Sequence, residues 1–179
     1  MAVKATREIK KRTAVGVTSF TVWKQKIMEK IVMDDELSKL LNYNTSNCLS
    51  KHSLTEDEKY KLINKSVYGY RYVPDVAEEQ KSYISIGLSN FVPQEGFRQF
   101  SDDYIQGYLY LYILVDTAIM ETDTGYRNDL ILSRLYDIFQ GDKNSIGIGE
   151  LRMEVCTELW QHNNKFGGYT LGFRVISMK

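Results

Sequence analysis

The thirteen residues Tyr104-Ile105-Gln106-Gly107-Tyr108-Leu109-Tyr110-Leu111-Tyr112-Ile113-Leu114-Val115-Asp116 decide the fold. Ile105, Leu109, Leu111, Ile113 and Val115 alternate with Tyr104, Gln106, Tyr108, Tyr110 and Tyr112. Successive side chains of a strand point to opposite faces, so this period of two predicts a long β-strand with an aliphatic face and a tyrosine face. Both faces are expected to be covered. A buried phenol needs a partner for its hydroxyl, which leaves two readings for Tyr108, Tyr110 and Tyr112. They pack under the domain's own helices, or they lie in a contact with another subunit or partner.

Toward the N-terminus a second alternating run, Tyr83 to Asn90, puts Ile84, Ile86 and Leu88 on one face and Ser85, Gly87 and Ser89 on the other. Val67 to Val73 reads as a strand stopped by Pro74. Before Ser66 the period is helical. Phe20, Trp23, Ile27 and Ile31 recur at three- and four-residue spacing, with Thr18 or Ser19 placed to cap the first turn. Asp34 opens a second helix through Leu37, Leu40 and Leu41, and the Thr55/Glu58 spacing predicts a capping box and a short third helix over 55–63. Toward the C-terminus, Asp123 or Thr124 is expected to cap a helix reaching Gln140, with the stripe Leu130, Ile131, Leu135, Ile138 and Phe139 and a stop at Gly141. Arg127, Asp129 and Arg134 are expected to ride on its outer side. Strands near 147–160 and 169–178 follow, joined as a hairpin. The fold class is α+β: helices packed on one mainly antiparallel β-sheet, in the order helices-β-β-β-α-β-β. A single domain spans 18–179, with a helical lead over 18–66 and the sheet and remaining helix over 67–179.

Residues 1–17 differ. Lys4, Arg7, Lys10, Lys11 and Arg12 face only Glu8, without apolar periodicity, which predicts a flexible basic arm that orders against a protein partner or DNA. The rest of the chain offsets this charge, since Lys plus Arg and Asp plus Glu are 23 each, so no global field draws the protein to nucleic acid or an anionic surface. No secretory signal or run of about 20 apolar residues appears, and the expected compartment is the cytoplasm. Thirteen tyrosines stand against two prolines, a bias that suits surfaces buried on association.

The chemistry of catalysis and metal binding finds no pattern to rest on. A P-loop needs glycines ahead of Gly-Lys-Ser/Thr, and none is present. Ile146-Gly147-Ile148-Gly149 is half of a dinucleotide fingerprint that opens a strand where the motif requires a helix. Asp142, Asn144 and Gly147 begin a calcium loop, but Ile146 and Met153 occupy positions where oxygen ligands belong. His52 with Glu56 and His162 with Glu158 have metal-ligand spacing only if each pair shares a helix, and neither stretch reads as one. Cys48 and Cys156 are far apart and outside any Cys-x-x-Cys pattern. The expectation is a protein with no enzymatic activity, no cofactor and no metal.

Several phrases and their order resemble the bacteriophage tail-terminator, or tail-completion, family. They are Asp34-Asp35-Glu36-Leu37-Ser38-Lys39-Leu40-Leu41-Asn42-Tyr43 near the start, Leu54-Thr55-Glu56-Asp57-Glu58 ahead of the 67–74 segment, Thr122-Asp123-Thr124-Gly125-Tyr126-Arg127-Asn128-Asp129-Leu130-Ile131 after the long apolar strand, and the closing Gly168-Tyr169-Thr170-Leu171-Gly172-Phe173-Arg174-Val175. The resemblance implies a structural virion protein assembled in the host cytoplasm: a hexameric ring in the tail neck that caps the tail tube, meets the head-side connector and surrounds a lumen through which DNA passes. It brings no catalytic residues. The interface candidates that go with it are Tyr108, Tyr110, Tyr112, Arg127 and Arg134. The alternative is a nucleic-acid-binding or packaging accessory protein acting through Lys4, Arg7, Lys10, Lys11 and Arg12.

Overall fold

The computed structural model describes residues 19–75, 80–93, 104–143, 145–162 and 164–178. The basic arm, with Lys4, Arg7, Lys10, Lys11 and Arg12, lies outside them, as does Asn144. The chain opens with helices α1 (Phe20–Met33), α2 (Asp35–Asn42) and α3 (Glu56–Tyr60), then strands β1 (Val67–Tyr68), β2 (Ser82–Pro93) and β3 (Tyr104–Asp116). A small hairpin of β4 (Glu121–Thr122) and β5 (Gly125–Tyr126) leads into helix α4 (Arg127–Phe139), and β6 (Glu150–Gln161) and β7 (Phe166–Met178) complete the fold. Among the described residues no helix is long and apolar enough to cross a membrane.

The main sheet has the order β1-β2-β3-β7-β6. β2, β3, β7 and β6 are antiparallel neighbours, and the short β1 runs parallel to β2, so the sheet is mixed at that edge. From β3 the chain passes through β4, β5 and α4 to the far edge, lays down β6, and returns as β7 between β6 and β3. Tight His162 and Asn164 backbones, at φ 53° and 67°, reverse the chain between β6 and β7.

One face of the sheet carries the core. Ile84, Ile86, Leu109, Leu111, Ile113, Val115, Leu171, Phe173 and Val175 are buried there with Trp23, Ile27 and Ile31 of α1, Leu37, Leu40 and Leu41 of α2, and Ile131, Leu135 and Phe139 of α4. The i, i+4, i+8 spacing within α1 and α4 aligns each set on one helix side. Full burial of each such side chain contributes about 1.5–3 kcal/mol relative to exposure. Capping follows the sequence at two helix starts. Asp34 accepts from the Leu37 amide at 3.0 Å to cap α2, and Thr55 with Glu58 forms the capping box of α3.

The structure corrects several boundaries: the helix expected over 55–63 ends at Tyr60, and the strand expected over 83–90 runs from Ser82 to Pro93. The strand expected over 67–73 ends at Tyr68, after which the chain leaves the sheet edge. The helix expected from Asp123 begins at Arg127, because Thr122 to Gly125 form the turn of the β4–β5 hairpin, with the Thr122 hydroxyl donating to the Gly125 carbonyl at 2.6 Å. The strand expected from 147 begins at Glu150, since Gly147 and Gly149 adopt φ of 80° and 107°. The last strand starts earlier than 169, at Phe166.

Candidate functional site

The helices leave the second face of the sheet to other cover. Register places Ser85, Gly87 and Ser89 of β2 opposite Tyr112, Tyr110 and Tyr108 of β3, which in turn lie opposite Thr170, Gly172 and Arg174 of β7. The tyrosines therefore point away from the helices, and the reading that they pack beneath the domain's own helical layer is set aside. All three remain half-buried.

Their rings form a ladder. Tyr108 and Tyr110 stack at 6.0 Å with planes 22° apart, and Tyr110 and Tyr112 at 6.2 Å and 20°. Neighbouring small residues make room for it. A Cβ on Gly87 would come within 3.2 Å of the Tyr112 ring, and one on Gly172 within 3.0 Å of Tyr110. Because each ring spends a π-face on its neighbour, the ladder offers edges and hydroxyls outward.

The two ends of this face differ. At one end residues 68–75 fold across it. Tyr68 stacks on Tyr72 at 3.9 Å, both approach Tyr83, Tyr83 meets Phe166, and Arg71 lies 5.1 Å above the Tyr112 ring. His162 Nε2 is 2.7 Å from the Pro74 carbonyl and ties the crossing segment to the β6–β7 turn. Tyr70 and Val73 stay 55% and 43% exposed on its outer side. The other end is polar: the Tyr108 hydroxyl donates to Glu154 at 3.2 Å, which raises its phenol pKa, and Arg174 Nη1 donates to the other Glu154 oxygen at 3.3 Å. Arg174 Nε, sheltered from solvent, has no hydrogen-bond partner among the described residues.

Arg127 is the largest departure from the sequence reading, which placed it on the outside. Its side chain is 0% exposed. Nε donates to the Ile119 carbonyl at 2.8 Å, Nη1 to Leu40 and Tyr43 at 2.8 Å each, and Nη2 to Thr45 at 2.9 Å. The guanidinium thus closes the C-terminal end of α2, where free carbonyls gather, and binds the 43–48 loop to the start of α4. Burial pushes its pKa down, while the adjacent Cys48 acts in the opposite direction. Arg127 is therefore unavailable to a partner. Arg134 is half-exposed and donates to Asp34 Oδ2 at 2.7 and 3.0 Å, so Asp34 caps α2 and fastens α4 at once.

The other sites weighed from sequence have structural occupants. The Asp142 carboxylate receives the Lys30 ammonium at 2.5 Å, where a calcium loop would hold its ion, and Ser145 donates to it as well. His52 is hydrogen-bonded to the Tyr43 hydroxyl through Nε2 at 3.0 Å. Cys48 is buried and Cys156 exposed.

The described residues thus form an α+β domain with helices on one sheet face and a tyrosine ladder on the other. The chain belongs to the YomW family, a phage-derived, prophage-type family whose model matches residues 34–175. No curated protein and no solved structure matches it.

Proposed function

We propose that this protein is a structural subunit of a phage particle, a ring-forming component of the tail neck that caps the tail tube and joins it to the head connector. The observation that carries the reading is the sheet face that the helices leave free, with its half-buried Tyr108–Tyr110–Tyr112 ladder and the Glu154–Arg174 pair at its end. Tyrosine edges, small residues and a sheltered, unpartnered Arg174 donor suit a protein surface that is buried on association. Descent from phage agrees with a virion role.

The ladder also bears on the runner-up, a nucleic-acid-binding accessory protein. Single-stranded nucleic acid is held by bases stacking on free aromatic faces, and here the faces are turned on one another. Any nucleic-acid role falls to the basic arm. Light scattering on the purified protein, alone and with tail tubes, tests the choice: a discrete oligomer, or one formed on the tubes, supports the neck ring. A monomer that ignores tubes but binds DNA with strong salt dependence replaces it with the runner-up.

A further inference from the structure

A second surface stands apart from the tyrosine ladder, between the outer side of α4 and the free edge of β6. The Tyr169 hydroxyl donates to Asp129 of α4 at 2.8 Å, and Tyr169 lies in register with Glu158 of β6. Trp160 donates its indole N–H to Glu158 at 3.3 Å and is 48% exposed. Two turns along α4 from Asp129, on the same side, Tyr136 is 40% exposed. Among the described residues, Asp129 and Glu158 receive only these neutral donors and no ion pair. Exposed carboxylates alternating with exposed aromatic rings form a surface suited to Lys and Arg side chains, through charge and cation–π contact. At its margin the outer edge of β6 beyond Met153 has no strand partner among the described residues, leaving backbone groups for an extended chain.

We infer that this surface receives the basic N-terminal arm, residues 1–17, of a neighbouring copy of the same chain. The inference rests on the ring reading above. Charge complementarity is one argument: Lys4, Arg7, Lys10, Lys11 and Arg12 against Glu8 alone in the arm, carboxylates with aromatics on the surface. Reach is another. The basic residues precede Ser19 by 7 to 15 positions (19 − 12 and 19 − 4), which is roughly 25–50 Å of extended chain. The third argument is direction. The arm leaves the domain at Phe20, whose ring packs on Phe91 at 5.0 Å beside Gly107, on the β2–β3 side, whereas the receiving surface lies at the β6 edge. Donor and acceptor toward opposite edges make a head-to-tail contact, the kind that closes into a ring.

The test places a cysteine in the arm of the full-length protein, Thr6→Cys, with the native exposed Cys156 as its partner. Oxidation is followed on non-reducing gels, and light scattering runs in parallel. The expected result is an oligomer with a ladder of intermolecular disulfides that Cys156→Ser abolishes. Asp129→Lys with Glu158→Lys should reduce the ladder about tenfold, and Asp129→Asn with Glu158→Gln, which keeps acceptors for Tyr169 and Trp160, should reduce it as well. An oligomer without a ladder, or with only an intrachain disulfide, overturns the docking of the arm while leaving the ring intact. A monomer without a ladder overturns both.

Discussion

Arg127→Met removes four hydrogen bonds from a fully buried guanidinium and leaves their carbonyls behind. The Ile119 and Leu40 carbonyls are buried, and each orphaned buried acceptor costs about 1–3 kcal/mol. The Tyr43 and Thr45 carbonyls lie nearer the surface, where water replaces part of the loss. Relief from burying a charge offsets some of this, so the two orphaned buried acceptors and the weakened outer pair leave a net loss of about 3–5 kcal/mol. In a domain of this size each kcal/mol moves the Tm by roughly 2–4 °C, so the expected fall is about 6–20 °C. Arg127→Lys should lose nearly as much, because an ammonium has no planar fork to span carbonyls from two segments. The control is Arg134→Met, whose side chain is 37% exposed beside Asp34 and whose loss should cost no more than about 1 kcal/mol. Urea unfolding of the three variants, read as midpoint shifts at constant slope, makes the comparison. If Arg127→Met unfolds within about 1 kcal/mol of the parent, or no earlier than Arg134→Met, the guanidinium is not the tie between α2 and α4 described above.

Tyr110→Lys changes the open face and leaves the core untouched, so it should fold normally by circular dichroism yet lose oligomerisation or binding to tail tubes; normal assembly would remove the ladder from the interface. Leu135→Ala empties a fully buried site beneath the sheet and should cost about 2–5 kcal/mol in urea unfolding. The Tyr169 phenol is pushed up to about 12, first by its hydrogen bond to Asp129 and then by burial. The folded state therefore holds that proton longer than the unfolded chain. Its stabilising contribution is complete below the unfolded value of about 10 and is lost as pH rises from there through the folded value. Absorbance titration at alkaline pH should include a late-titrating phenol that Asp129→Asn shifts back toward the ordinary range.

Much of this structure follows from local rules, and its exceptions have identifiable causes. The alternation over Tyr104–Asp116 set both ends of β3 because thirteen residues at period two leave no competing helical pattern. Asp34, Thr55 and Glu58 act within three residues of themselves, which is why their caps could be read from spacing. Long-range partners were beyond such rules. Tyr68, Tyr70 and Tyr72 alternate like a strand, yet the contacts of this segment with Tyr83 and Tyr112 draw it over one end of the tyrosine face. Arg127 was placed outside because it is charged. Its position held the opposite signal, since 127, 131, 135 and 139 share the buried side of α4 at four-residue spacing. The tyrosine row of the candidate site was legible as a face. Its placement opposite the helices required the registers of β2 and β7, and the acid–aromatic surface between α4 and β6 required the chain to fold back on itself.

Gold labelling of an N-terminally tagged copy in intact particles of the encoding phage, viewed by electron microscopy, tests the central claim most directly. A neck-ring subunit predicts label concentrated at the head–tail junction, with particles assembled without the protein lacking joined tails. Particles that carry no label while the protein stays in the soluble extract would contradict a structural role in the virion.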